Sequence, residues 1–160
     1  MNKAYLLIGG NMGDREKNLE QARALIAAQC GSIHALSPLY VTAAWGMTSQ
    51  PDFLNQALEV YTPFNARQLI RKILKIEKQM GRMRTEKYGP RIIDVDILLF
   101  NQEMHDMHFL KVPHPELQNR RFALLPLAAI APGLLHPVLN KTIGQLLVEC
   151  RDDLAVKPFS

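Results

Sequence analysis

Two carboxylates, Asp94 and Asp96, stand one residue apart in "IIDVDILLF", an otherwise apolar run. In a strand, alternate residues share a face. Both acids then point the same way, with Leu98 and Phe100 beyond them, and Ile93, Val95, Ile97 and Leu99 take the other face. Apolar residues on both faces predict a central strand. Like charges side by side repel, and each resists desolvation, so cations must compensate them. Either arginines neutralise the pair as a structural network, or the pair holds a divalent metal. Hard oxygen ligands in pairs suit Mg²⁺, which takes one or two carboxylates and fills its other positions with water and phosphate oxygens.

Arginines are close at hand. Arg82, Arg84 and Arg91 lie on the glycine-punctuated segment that leads into the aspartate strand. Residues 67–91 hold nine Lys and Arg against two Glu, a surplus of seven, so with a net charge of +4 the rest of the chain sums to −3. A solvated helix face accounts for Arg67 to Lys78. The loop arginines fit bidentate phosphate binding better. Carboxylates for magnesium and arginines for charge are what phosphoryl transfer requires, because its catalysis is mostly positioning and electrostatics. The chain has no GxxxxGK[ST] loop, and "GGNMGD" is not GxGxxG but a turn before a helix cap. A nucleotide site here is neither a P-loop nor a Rossmann site.

A third group is aromatic and amide. Thr42, Trp45, Phe53 and Asn55 surround one loop, and Phe53 and Asn55 share a strand face. That pairing suits a flat, hydrogen-bonding heterocycle; core packing explains Phe53 equally well, but a buried Asn55 demands partners. His105 and His108 lack the helical setting that a zinc pair needs. His114, fixed between prolines in "VPHP" and followed by Arg120, reads either as a rigid turn or as a second phosphate clamp.

Periodicity supplies the elements that must position these groups. "AYLLIGGN" is a first strand. Asp14 caps a helix to about Cys30, with Leu19, Ala22, Ile26 and Cys30 at helical spacing and Gly31 as its stop. "SIHALSPLYVTAAW" and "DFLNQALEVYT" are extended and pair antiparallel. Asn65 caps a second helix ending at Gly81. Its core stripe is Leu69, Ile73, Ile76 and Met80, and a neighbouring stripe of Ile70, Leu74 and Glu77 ends in an acid. The aspartate strand follows as the fourth. Short strands in "EMHDMHFLKV" and helices in "NRRFALLPLAAIAP" and "TIGQLLVEC" complete the chain. The order βαββαβ is that of a ferredoxin-like α/β (α+β) fold, here with a C-terminal helical extension.

"GPRIIDVDILLF", with "GRMR" before it and "VPHPELQNRRFALLPLAAIAP" after it, resembles the 6-hydroxymethyl-7,8-dihydropterin pyrophosphokinase family of folate biosynthesis. "IGGNMGDREKNL" and "QPDFLNQALEV" match that family's first segment and pterin-binding strand, so the resemblance runs from about Tyr5 to Leu147. Gly10, Val95 and Tyr88 stand where the family often has serine, leucine and tryptophan. The resemblance implies transfer of pyrophosphate from ATP to the pterin hydroxymethyl group, with release of AMP. It implies two Mg²⁺ ions on Asp94 and Asp96, and phosphate clamping by Arg82, Arg91, His114 and Arg120. It implies a nucleotide pocket lined by Ile70, Leu74, Glu77, Arg84, Ile97 and Leu110. Phe53 and Phe122 would sandwich the pterin, Thr42, Asn55 and the backbone near Ala43 and Trp45 would bind its edge, and Tyr88 would sit on the closing loop. The loops at 43–53 and 81–92 would close to exclude water. The family is monomeric, which sets the same expectation here.

Length and composition agree. At 160 residues, 48% hydrophobic and 21% charged, the chain fits a single domain over 1–160 with a core of its own. The short apolar run before Gly9 is no secretory core, and no stretch is long enough to span a bilayer. Two distant cysteines, Cys30 and Cys150, imply neither a disulfide framework nor a metal site, so a cytoplasmic protein is expected. The rival from another class is a ferredoxin-like RNA-binding module, which leaves Asp94 and Asp96 unexplained and lacks an RNP-like run. A nearer rival is a diverged relative acting on another pterin. Small molecules are therefore the expected partners, without nucleic acid or membrane.

Overall fold

A computed structural model describes residues 1–43, 49–81 and 91–159. The first strand, β1 (Asn2–Gly10), is buried along most of its length and lies inside the main sheet. Helix α1 (Arg15–Gln29) starts at Asp14, whose side chain accepts from the Lys17 amide, and buries Leu19, Ala22 and Ile26. It stops where Gly31 meets the sheet: a Cβ there would lie 2.1 Å from the Tyr61 carbonyl. Close approach, rather than a left-handed cap, is what requires glycine at that point.

The long extended segment divides into β2 (Ser32–Leu36) and β3 (Tyr40–Thr42). Both pair antiparallel with β4 (Phe53–Thr62). The break falls at Ser37, whose hydroxyl donates to the Pro38 carbonyl and accepts from the Ala57 amide; Pro38 has no N–H to continue a ladder. Helix α2 (Ala66–Gln79) opens with a full capping box between Asn65 and Gln68. It buries Leu69, Ile73 and Ile76, each worth ~1.5–3 kcal/mol of apolar burial. Gly81 follows at φ +84°, a conformation that glycine takes without a Cβ penalty.

Then come β5 (Asp94–Phe100) and the hairpin of β6 (His105–Met107) and β7 (Leu110–Val112). Helices α3 (Arg121–Ile130) and α4 (Ile143–Glu149) follow. A last strand not expected from sequence, β8 (Val156–Pro158), pairs with β3.

The sheet order is β5-β1-β4-β3-β8, with β2 beside β3 on β4. The core βαββαβ order and the antiparallel sheet are those of the ferredoxin-like fold. One expectation is corrected: β5 is an edge strand, not a central one. Its apolar residues are buried from other directions, because α2 and the β6–β7 hairpin flank its open side. The Leu98 carbonyl accepts from the His114 amide, and the Glu77 carboxylate accepts from the Val95 amide.

The facing of β5 is also corrected at its far end. The register against β1 slips between Tyr5 and Leu6. A bulge of this kind reverses the alternation. Phe100 therefore joins Val95 and Ile97 against α1 and α2, while Leu99 joins Leu98 beneath α3 and α4. The acids lie before the bulge, so both keep one face.

Candidate active site

Tyr5 and Leu7 pack under α3. Strand alternation puts Gly9 on that same side, and cross-strand partners share a face. Gly9 pairs with Asp94 on one neighbour and Asn55 on the other, and Asn55 pairs with Tyr40. One row across the sheet thus carries Asp94, Gly9 and Asn55, with Asp96 and Phe53 in the adjoining rows. Gly9 is what lets the row exist: a Cβ there would lie 2.1 Å from the Asn55 Oδ1. Glycines 9 and 10 close the first strand, as its sequence predicted, and the bend falls after them in "NMGD". Gly10 lies so close to Ile92 that a Cβ would come within 2.3 Å of its carbonyl.

Burial first, then the neighbouring Asp94 and Glu77 carboxylates, push the Asp96 carboxyl up to about 8, against the partial relief of Arg120 and Arg91. Arg91 Nη1 sits 3.5 Å from the Asp94 carboxylate. An acid held this far above its usual range invites a cation that reverses the shift. Among the described residues no three His, Cys, Asp or Glu side chains form a metal cage. Two carboxylates fit Mg²⁺ all the same, since that ion draws most of its oxygens from phosphate and water.

Beside the acids, along the open edge of β5, lies a cleft of about 260 Å³. Ile70, Leu74 and Glu77 line it from α2, Asp96 and Ile97 from β5, and Leu110 and His114 from the hairpin side. The second stripe of α2 and the residues after β5 therefore converge on one cleft. Glu77 does more than line the wall. It is buried, and its Oε2 holds the Val95 amide at 2.8 Å, which joins α2 to the aspartate strand. His114 Nδ1 accepts from the Glu116 amide, so the ring's proton belongs on Nε2. Burial and Arg120 drive its pKa down to about 4, so it offers the cleft a neutral N–H donor and not a charge.

On the other side of the row, Asn55 is 5% exposed and its Nδ2 has no hydrogen-bond partner among the described residues. A buried, unmatched donor of this kind is costly unless a ligand completes it. Half-buried Phe53 opens β4, and half-buried Phe122 lies in the first turn of α3, the helix that packs across β4. The Arg120 guanidinium lies 5.7 Å from the Phe122 ring centre. Thr42 is buried at the end of β3 beside Ala43, and its hydroxyl donates to the Ala155 carbonyl. Arg82, Arg84, Trp45 and Tyr88 fall outside the described residues, as do most of the two loops expected to close.

Sequence reasoning missed several contributors. Asn11 is buried at 2% exposure, and its Oδ1 accepts from the Arg91 amide. Its Nδ2 donates to Gln50 and to the Pro51 carbonyl, and its own amide donates to the Arg91 carbonyl. One amide side chain thus ties the two loop stems together beside the acids. The signal was an Asn directly after a strand-ending Gly-Gly, where side-chain bonding to backbone is frequent. His108, Phe109 and Lys111 also line the cleft, from the hairpin. His105 instead pairs with Glu103 at 2.7 Å, so the two histidines make no site together.

The chain is thus a small α/β protein, an antiparallel sheet layered by helices whose strand acid Asp96 opens onto a cleft of mixed polar and apolar lining. The family model for 7,8-dihydro-6-hydroxymethylpterin-pyrophosphokinase (HPPK) matches residues 5–132. The 2-amino-4-hydroxy-6-hydroxymethyldihydropteridine pyrophosphokinase of Aquifex aeolicus is 38% identical over 159 residues, 99% of this chain and 96% of that one. Its namesake in Bacillus subtilis is 42% identical over 130 residues, 81% of this chain and 78% of that one. The chain belongs to the 7,8-dihydro-6-hydroxymethylpterin-pyrophosphokinase family. A crystal structure of Plasmodium falciparum HPPK-DHPS with pteroate shares the fold at TM-score 0.77 and 19% identity, over 92% of this chain. This chain spans 42% of that solved one. Among the described residues no helix is long and apolar enough to cross a membrane.

Proposed function

We propose that this enzyme transfers pyrophosphate from MgATP to the hydroxymethyl oxygen of 6-hydroxymethyl-7,8-dihydropterin, giving the pterin diphosphate and AMP in folate synthesis. The observation that carries the reading is the single row across the sheet. It sets Asp94 on one side of Gly9, with the proton-holding Asp96 in the next row, and on the other side Asn55, whose buried Nδ2 has no partner among the described residues. A triphosphate laid against the acids and a heterocycle laid against the amide would meet at that row.

The geometry and the family resemblance together support the following roles. Ile70, Leu74, Ile97 and Leu110 would hold the nucleotide base, and Glu77 would fix the wall by its grip on Val95. Asn55 would donate to the pterin's hydrogen-bonding edge, with Thr42 and Ala43 at the strand end beside it and Phe53 and Phe122 against the ring faces. His114 would donate to a phosphate through Nε2, and Arg91 and Arg120 would add charge-assisted bonds. When bound at Asp94 and Asp96, two Mg²⁺ ions would supply the positive charge that offsets the phosphate oxygens. The hydroxymethyl oxygen bonds to the β-phosphorus, the bond from that phosphorus to the bridging oxygen breaks, AMP leaves with the electron pair, and the hydroxyl proton is released. Arg82 and Arg84 belong to the same reading as phosphate and nucleotide ligands, and Trp45 and Tyr88 as closing residues that exclude water.

The RNA-module alternative needs an open sheet face. Here α3 and α4 cover one face and α1 and α2 the other. A monomer of one domain acting in the cytoplasm completes the proposal. The test is AMP formation from ATP and 6-hydroxymethyl-7,8-dihydropterin, with and without Mg²⁺, alongside a small panel of other pterins. Mg-dependent AMP with this pterin preferred is expected. Well-folded protein that makes none refutes the assignment, and preference for another pterin favours the diverged relative.

A further inference from the structure

Helix α3 carries Arg120 and Phe122 at its start, yet it is poorly equipped to hold that start in place. The residue at the cap position is Arg120, which makes no side-chain cap bond. Pro126 inside the helix has no N–H to return to the Phe122 carbonyl, so the first turn also lacks an intrahelical bond. A first turn with neither should fray.

The C-terminal segment supplies what is missing. Asp152 Oδ2 accepts from the Arg121 amide at 3.1 Å, one of the first-turn amides that a helix leaves without an intrahelical partner. Its other oxygen accepts from the Leu154 amide at 3.0 Å, which fixes the carboxylate. Arg121 returns the contact: Nε donates to the Asp152 carbonyl and Nη2 to the Cys150 carbonyl, each at 3.0 Å. A carboxylate at a helix N-terminus also faces the favourable end of the helix dipole.

The same segment then crosses to the opposite wall. The Ala155 carbonyl takes the Thr42 hydroxyl, and β8 pairs with β3 through Thr42 and Val156, Val41 and Lys157, Tyr40 and Pro158. Phe159 ends the crossing: its amide donates to the Leu39 carbonyl, and its ring packs against the core. Ten residues thus join the two walls between which Asn55 lies.

We propose that residues 150–159 form a strap that sets the width of the pterin slot, with Asp152 as the positioning residue that caps α3 from outside the helix. The inference rests on Phe122 and Thr42 facing the pterin. The strap touches neither substrate. It holds the Phe122 wall to the Thr42 wall, so that the slot is formed before the pterin arrives and less ordering is left for binding to oppose.

The test uses the full chain with Asp152→Ala and Asp152→Asn, and reads KM for pterin, KM for ATP, kcat and amide hydrogen exchange. Asp152→Ala should raise the pterin KM about five- to tenfold, the change expected for losing one cap. The ATP KM should move less, because the cleft walls on α2 and the hairpin do not depend on the strap, and of the groups placed on the phosphates only Arg120 adjoins it. Asp152→Asn, which keeps an acceptor oxygen, should recover most of the loss. Exchange should quicken at residues 121–123 and not in α1. An unchanged pterin KM, or an equal rise in both KM values with exchange faster everywhere, overturns the proposal. Should Asp152→Ala not fold, Arg121→Met cuts the two side-chain ties to the strap and is judged by the same outcomes. Phe122→Ala separates the two levels. If it leaves pterin binding intact, the slot reading itself fails; if it weakens binding while Asp152→Ala does not, only the strap fails.

Discussion

On the cleft side of Gly9, carboxylates crowd together: Asp94 and Glu77 lie near Asp96, and burial with these neighbours lets Asp96 hold its proton up to about 8. On the other side the group in need is neutral, the Asn55 Nδ2, buried without a partner among the described residues. The first side is completed by cations and the second by a hydrogen-bonding ring. The contrast explains how one sheet row can take two unlike substrates without confusing them: a polyphosphate with its metals gains nothing at Asn55, and a neutral pterin gains little at the acids.

The comparison can be broken by mutating one side and watching the other. Asp96→Ala should lower kcat by roughly 10²- to 10³-fold, the scale for losing a preorganised charge-stabilising contact. Pterin binding, followed by fluorescence titration, should stay nearly unchanged. Full activity in that variant sinks the metal assignment, and lost pterin binding sinks the independence of the two sides. Asn55→Ala should weaken pterin binding by about tenfold, from one or two lost hydrogen bonds. Its ATP affinity should hold, and its thermal midpoint should not fall by the amount a lost buried bond would cost. A large stability loss with intact pterin binding would make Asn55 a core residue.

The smallest effect concerns the Asp96 proton itself. Because folding raises the Asp96 pKa, the native state binds a proton that the unfolded state has lost between about 3.8 and 8. Stability without metal should therefore decline as pH rises through that window, by Asp96's share. With Mg²⁺ and a non-hydrolysable ATP analogue the decline should vanish, and binding near pH 7 should release protons. Calorimetry in two buffers of different ionisation heat measures that release. No proton release would mean the acids are already compensated.

Much of the cleft side was legible along the chain, because its parts are periodic. The stripe Ile70, Leu74, Glu77 follows from helical spacing, and the acid pair from strand alternation. The other side was less legible. Asn55 was singled out, but its state depends on Gly9 having no Cβ, and that pairing lies 46 positions away in sequence. Asn11 looked like turn chemistry because its partners, Gln50, Pro51 and Arg91, are remote. The strap passed unnoticed because three residues of β8 have no periodicity to read.

The sequence by itself determined the βαββαβ order, the helix caps at Asp14 and Asn65, the shared facing of Asp94 and Asp96, and the family motifs. Each of these is a local matter of spacing, propensity or capping. Tertiary structure alone decided that β5 lies at an edge, with a cleft beside it. It also decided that a bulge turns Leu99 and Phe100 over, that Gly9 seats Asn55, and that Asp152 caps a helix 31 residues before it. Those outcomes depend on which distant backbone groups are left without partners when the sheet closes, and hydrophobic periodicity carries no record of that.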